Sequence, residues 1–365
     1  MMDLLSTFSK NINRLCFATA FACCVLSSCD NLIYDGGMDC PVTYRLDFRY
    51  DRNMKWADAF SREVHSICLY AFDRSGTLVW QQAERGEALS AEGYAMTLDL
   101  PAGEYRLVAW CGLENDDARG ESFNIPEVRK GQTRLEKFQC SLNREHDGTG
   151  AYSRKKLHAL FHGMLDVSLP IDEDGGEYSY TMSLTKNTNH VRVILQHLSG
   201  EEIDSEDFTF RIEEENGLMD YDNSLLPDER ITYWAYQKKT GTAGMGIDDY
   251  PEMKDARQTA YPISSRSVTS VSVAIADLTT ARLTEGRKAF LTIETTAGGV
   301  VARIPLTDYA LLLKDGYGED MTDQEYLDRQ DEYALTFFLD ERDKWIATSI
   351  IINSWKVVLD DLDFN

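Results

Sequence analysis

The sequence predicts an all-β protein of two tandem β-sandwich domains with a few short helices, over residues 44–172 and 177–365. Three observations predict it. Apolar and polar residues alternate with a period of two in segment after segment, as half-buried strands require. Turn-forming clusters of Gly, Pro, Asp and Asn separate these segments at intervals near ten residues, which suits sandwiches better than strand-helix-strand units. Only one segment carries a clear helix-start signature. Length agrees, because about 337 residues remain after the leader, more than one core comfortably fills.

The leader is residues 1–28. Lys10 and Arg14 form a positive start, residues 15–26 (LCFATAFACCVL) an apolar run, and Leu26-Ser27-Ser28-Cys29 a lipobox. An apolar run of about 12 residues is too short to span a bilayer as a helix, so it reads as a signal peptide. Small side chains before the cut fit a narrow peptidase groove, and only a cysteine thiol can accept the diacylglyceryl group. Cleavage between Ser28 and Cys29 with lipid on Cys29 is therefore expected, which places the protein on a membrane. Residues 29–43 form the tether.

The first domain opens with YRLDFRY, where Tyr44, Leu46, Phe48 and Tyr50 alternate with Arg and Asp. VHSICLYAFDRSGTLVW reads as a hairpin turning at Asp73 to Gly76, and YAMTLDLPAGEYRLVAW as strand, turn and strand about Pro101-Ala102-Gly103. Residues 135–142 supply a further strand, and residues 154–162 suit either a loop or a short helix. The acidic Gly-Gly turn in LPIDEDGGEY marks the domain boundary.

In the second domain, Val191, Val193 and Leu195 share one face of a long alternating run. Residues 217–266 read as a mostly irregular insertion. SVTSVSVAIADL is a strand, and KAFLTIETT with GVVARIPL forms a hairpin about Gly298-Gly299. Thr322 followed by Glu325 is a capping-box pattern for one acidic helix, with Tyr326, Leu327 and Tyr333 facing the body. YALTFFLD and IATSIIINSWKVV are the closing strands.

The net charge of -24 becomes one unit more negative once the leader, with Lys10 and Arg14 against Asp3, is removed. Such a surface repels phosphate backbones and argues against nucleic-acid binding. Cys40, Cys68, Cys111 and Cys140 remain beside the lipidated Cys29. They allow three full pairings, and spacing does not choose among them. A bridge between Cys40 and Cys140, both beside turns, is preferred, with Cys68 and Cys111 bridged or buried as thiols.

No pattern of catalysis or cofactor binding emerges. His158 and His162 are spaced i,i+4 but lack the Glu of H-E-x-x-H and a third ligand. Asp172 and Asp174 fail the EF-hand pattern at Gly176. GTAGMG, residues 241–246, lacks the Lys-Ser/Thr of a phosphate loop. There is no G-x-S-x-G, and no carboxylate pair stands out from the general acidity. The expectation is a protein that is not an enzyme and needs neither cofactor nor metal.

The lipobox, CPVTYRLDFRYDRN, VHSICLYAFDRSG, LPAGEYRLVAW, LTKNTNHVRV, DQEYLDRQDEYALTFFLD and IINSWKVV together resemble the FimB/Mfa-type fimbrial anchor lipoproteins of Bacteroides-like bacteria. The likeness covers most of the mature chain. It implies transthyretin-like sandwiches, a surface-exposed place at the outer membrane, and a role in anchoring or capping a fimbria and limiting its length. It also implies strand-addition contacts with fimbrial shaft subunits as partners. Cys29 carries over as the acylated residue; Asp73, Gly76, Pro101 and Gly103 carry over as turn residues, and Trp355 as a core aromatic. Lys186 stands where relatives often have Arg. Asp30 would mean inner-membrane retention under the enterobacterial sorting rule, which is not expected to hold in this group.

Two other readings remain. A fimbrial tip or adhesin subunit, meeting a host or bacterial surface ligand, would have nearly the same sequence. A surface carbohydrate-binding lipoprotein could use Trp56, Trp80, Trp110 and Trp234 as a platform, unless these pack in the core. Residues 346–358 could complete the protein's own sheet, the favoured reading, or be donated to a partner.

Overall fold

The computed structural model describes residues 42–113, 122–171, 175–244, 270–317, 320–347 and 349–358. The chain divides into one unit of residues 1–43 with 171–177 and a second of residues 44–170 with 178–365. Within the first, the described residues are Val42 and Thr43, Ile171, and Gly175 to Glu177. The second holds the continuous hydrophobic core, which runs from Cys68 to Ile352.

The strands of the first half are β1 (Val42–Arg49), β2 (Ser66–Asp73), β3 (Leu78–Arg85), β4 (Ala95–Thr97), β5 (Gly103–Cys111), β6 (Phe123–Asn124), β7 (Cys140–Leu142), β8 (Glu145–Asp147), β9 (Gly150–Ser153) and β10 (Phe161–Leu169). There follow β11 (Gly176–Ser183), β12 (Thr185–Lys186), β13 (Thr188–His197), β14 (Phe208–Glu214), β15 (Leu218–Met219), β16 (Ile231–Trp234), β17 (Gln237–Gly244), β18 (Ser270–Ala281), β19 (Phe290–Thr295), β20 (Val300–Pro305), β21 (Glu332–Leu339), β22 (Ser349–Ile352) and β23 (Trp355–Val358). Helices are few and short: α1 (Phe60–Glu63), α2 (Leu306–Leu311) and α3 (Asp323–Arg329). The fold is all-β, and no described helix is long and apolar enough to cross a membrane.

Alternation works as expected in β1, where Tyr44, Leu46 and Phe48 are buried between polar residues. In β2 it gives way to an unbroken apolar run, because β2 lies inside a five-stranded sheet of order β12-β10-β5-β2-β3 and is covered on both faces. The β2–β3 turn forms where expected. The Asp73 carboxylate accepts the N–H groups of Ser75 at 2.8 Å and Thr77 at 3.0 Å, and Gly76 takes φ +75. The strands flanking Pro101, however, enter different sheets. β4 pairs with β1 at Arg45↔Thr97, whereas β5 pairs with β2 and β10. Leu98 and Leu100 between them are both buried, which holds this crossing segment in place.

The second half centres on β13 in a six-stranded sheet of order β17-β18-β13-β21-β22-β23. β13 runs antiparallel to β18 and parallel to β21, from His190↔Glu332 to His197↔Leu339. A parallel pair needs a long crossover. Here the chain between β13 and β21 supplies it, and builds β14, β19 and β20 of a second sheet of order β20-β19-β14-β16-β9-β8. The short strands β7 and β9 pair with β15 and β16, so residues 140–153 join strands from the second half of the chain.

Over residues 217–244 the chain is not the irregular insertion expected, while residues 245–266 of that stretch lie outside the described residues. Among the described part, β15, β16 and β17 are strands, and Ile231 and Tyr233 of β16 alternate into the core. β17 escaped notice because QKKTGTAG is an edge strand with little apolar signal. The β19–β20 hairpin forms as read, with Gly298 at φ +87. Helix α3 is capped by Thr322, whose hydroxyl accepts the Glu325 N–H at 3.1 Å. Tyr326 and Leu327 of α3 are buried, as is Tyr333, which belongs to β21.

Candidate assembly site

The closing strands of the chain leave one edge of a sheet open among the described residues. The segment read as a single strand, residues 346–358, folds instead into the β22–β23 hairpin. Its two-residue loop is Asn353-Ser354, with φ of +48 and +72, the conformation a tight hairpin of this kind demands. Ile350 and Ile352 of β22 are fully buried.

The hairpin is seated on β21 by a short ladder, Leu335↔Ile352 and Thr336↔Ile351. Asn353 extends it. Its backbone N–H donates to Ala334 O at 2.9 Å, and its side-chain oxygen accepts the Ala334 N–H at 2.7 Å. Ahead of the hairpin, Trp345 packs edge-on against Phe337 of β21, with ring centroids 5.3 Å apart. The hairpin is thus part of the protein's own sheet.

β23 ends that sheet, and its outer edge meets no strand among the described residues. Trp355 at its start is 57% exposed, so it is not the core aromatic expected. It follows two turn residues at positive φ, and among the described residues the strand it opens pairs with β22 alone. An unpaired strand edge presents a row of free N–H and C=O groups to which another strand can pair.

The other residues singled out from sequence fall in different places. Ser28, Cys29 and Cys40, and Asp172 and Asp174, lie outside the described residues. Cys140 is fully buried in β7, where burial pushes its thiol far above the ordinary range. Cys68 and Cys111 are buried in β2 and β5. Burial, then the nearby Cys68, pushes the Cys111 thiol up. His158 and His162 do not share a helix face, because β10 begins at Phe161. His162 is buried, donates Nε2–H to Tyr221 O at 2.8 Å, and is lowered by burial to about 4.

The four tryptophans do not form one platform. Trp110 is fully buried, Trp80 and Trp234 are half-buried, and Trp56 is 60% exposed.

What sequence reading missed is a buried polar network around LTKNTNHVRV. The side chains of Asn187 and Asn223 exchange two hydrogen bonds, of 2.6 and 3.1 Å. Asn216 accepts Tyr233 O–H at 2.7 Å and donates to Ala281 O at 3.1 Å. The signal available was the pair Asn187 and Asn189, two residues apart at the start of a run whose Val191, Val193 and Leu195 are buried.

Residues 37–361 match the model of a family described as fimbrillin-A associated anchor proteins Mfa1 and Mfa2. Over 218 residues the chain is 26% identical to the minor fimbrium anchoring subunit Mfa2 of Porphyromonas gingivalis, an alignment covering 59% of the chain and 64% of that relative. It therefore spans just under two thirds of the relative's length. The solved structure of the fimbrial anchor protein Mfa2 from P. gingivalis shares the fold, with a TM-score of 0.60 at 19% identity over 87% of this chain and 99% of that one. A candidate adhesin of Bacteroides thetaiotaomicron is 32% identical, with a TM-score of 0.73 over 88% of this chain and 99% of its own. A candidate polysaccharide-binding protein of the same species is 31% identical, with a TM-score of 0.70 over the same shares.

Proposed function

The chain belongs to the family of fimbrillin-A associated anchor proteins, and from that premise we propose that it is an outer-membrane, surface-exposed lipoprotein that anchors a fimbria. Cys29 carries the lipid after cleavage behind Ser28. The shaft subunit adds a strand to the edge of β23. This family is one of structural fimbrial proteins and not of enzymes.

The observation that carries the reading is the β23 edge with Trp355 exposed beside it. Backbone pairing along such an edge gives affinity, and pockets for alternate side chains give register. The tether expected over residues 29–43 runs into β1, which already begins at Val42, so the lipid would hold the protein at the membrane while a partner joins its sheet. Two tandem transthyretin-like sandwiches, divided at residues 172–177, and a Cys40–Cys140 bridge complete the proposal. Limited proteolysis at that boundary tests the first. An unreduced mass short of two hydrogens, with the two cysteines in one linked peptide, tests the second.

The deciding experiment is the intact mass of the N-terminal peptide of protein recovered with assembled filaments. Acyl chains on Cys29 are the expected result. An N-terminus well beyond Cys29 would mean that the tether is cut, and would make the protein a tip, adhesin or shaft subunit carried outward from the membrane.

A further inference from the structure

Trp56 is a costly residue where it stands. Its backbone lies in the left-handed region, φ +53, which suits glycine and disfavours a bulky aromatic. Its ring is 60% exposed, so core packing does not explain it.

The loop that carries it is pinned. Asn53 is buried and donates its amide to Tyr50 O and Ala57 O, both at 2.8 Å, while its oxygen accepts the Lys55 N–H at 3.0 Å. Asp58 accepts the N–H groups of Tyr50 and Phe60, each at 3.0 Å, and the Ala59 N–H closes the loop on Tyr50 O at 3.0 Å. The Arg329 guanidinium, 4.0 Å from the ring centroid, backs the indole. The ring is thus held outward at a fixed place.

Its surroundings are polar. Over residues 50–62 no other large apolar side chain is exposed, because Met54 is half-buried and Tyr50 and Phe60 are buried. Arg52, Lys55 and Arg62 are exposed, and among the described residues none of them is in an ion pair. Against these three cations the loop sets two carboxylates, Asp51 and Asp58, while Glu63 just beyond is engaged by Lys186. The loop is therefore one positive charge ahead in a chain whose net charge is -24.

A lone ring amid polar side chains is poor material for a protein interface, whose core is a cluster of apolar and aromatic anchors. It suits the headgroup layer of a bilayer, where the apolar body of an indole and its N–H both find partners. We propose that the Trp56 loop is a second membrane contact, which seats its ring among the headgroups of the bilayer that holds the lipid on Cys29. The proposal rests on the lipoprotein reading above. Residues 29–41 extend at most about 45 Å, so the tether keeps the body of the protein close to the headgroups. A contact too weak to hold a free protein suffices for a tethered one. The positive surplus spares this loop the repulsion that anionic headgroups exert on the rest of the surface. Lipid and loop together fix how the chain stands on the membrane.

The test holds the chain from residue 30 onward, by an N-terminal oligohistidine tag, on vesicles containing nickel-chelating lipid, phosphatidylcholine and phosphatidylglycerol with brominated upper acyl carbons. Bromine quenches a tryptophan seated at that depth. The artificial tether makes the outcome independent of whether Cys29 is acylated in the cell, which the mass of the N-terminal peptide decides separately. The expected result is quenching of the wild-type emission, at least about a twofold loss of that quenching in Trp56→Gly, and an unchanged or higher melting temperature, since glycine relieves the left-handed backbone. No quenching in the wild type, or equal quenching in Trp56→Gly, overturns the proposal. Should Trp56→Gly melt earlier, Lys55→Glu decides: weaker quenching by this variant at normal stability supports the contact, and undiminished quenching overturns it.

Discussion

Lys186 Nζ lies 2.5 Å from Asp331 Oδ2, and so ties β12 to the residue that leads into β21. On its other side is Glu63 of α1, at 2.9 Å. One ammonium thus joins three segments far apart in sequence, with its side chain only 16% exposed. Burial by itself would lower this ammonium, yet Asp331 and Glu63 together hold it above its ordinary value.

Replacing Lys186 by Met should leave two carboxylates facing each other and cost about 2–3 kcal/mol in urea denaturation. The pH dependence has a definite sign. A raised folded-state value means that the stabilisation is complete below the unfolded lysine range and fades as pH rises above about 10.5. The alkaline loss of stability should therefore be shallower in Lys186→Met. An identical alkaline limb in both proteins would remove this pair from the account.

His162 gives the opposite limb. Buried under Trp110, with ring centroids 4.6 Å apart, it is held neutral down to about pH 4. Its folded value is below the unfolded one, so the stabilisation is present above about pH 6.5 and is lost as pH falls toward 4. Up to about 3 kcal/mol is at stake over that window. His162→Gln should flatten the melting temperature between those two pH values; unchanged curvature would assign the acid limb to carboxylates.

The Asn187–Asn223 amide pair is buried on both sides. Asn187→Ala should cost about 2–3 kcal/mol, because it orphans the amide of Asn223. Replacing both by Ala should cost less than the sum of the two single changes to Ala, since no member of the pair is then left unpaired. Strict additivity in the urea midpoints would show that the two amides do not depend on each other.

The closing hairpin offers a gain and a loss. Ser354→Gly relieves φ +72 in the β22–β23 loop and should stabilise by about 1 kcal/mol. Deleting residues 346–365 strips the fully buried Ile350 and Ile352, each about 2 kcal/mol of burial, and exposes the edge of β21. A melting temperature lower by many degrees is expected in calorimetry. If the shortened chain kept its full transition but lost the shaft subunit, the hairpin would be a strand donated to the partner.

Much of the fold was legible because a strand with one solvent face writes its own pattern. Tyr44, Leu46 and Phe48 alternate in sequence and are buried in alternation; Asp73 with Gly76, and Thr322 with Glu325, announce a turn and a helix start through hydrogen bonds only a few residues long. Such local rules set the all-β class, most strands and the α3 cap. The family likeness was carried by the same segments.

What only tertiary structure decided is which strand lies beside which. The parallel pairing of β13 with β21, the divergence of β4 and β5 into separate sheets, and the union of β9 with β16 depend on contacts across long stretches of chain, for which local alternation has no term. The same holds for Trp56 and Trp110. Both are tryptophans near apolar segments, but one is fully buried between sheets and the other stands exposed at a left-handed backbone position, because neighbours remote in sequence set the space each one finds.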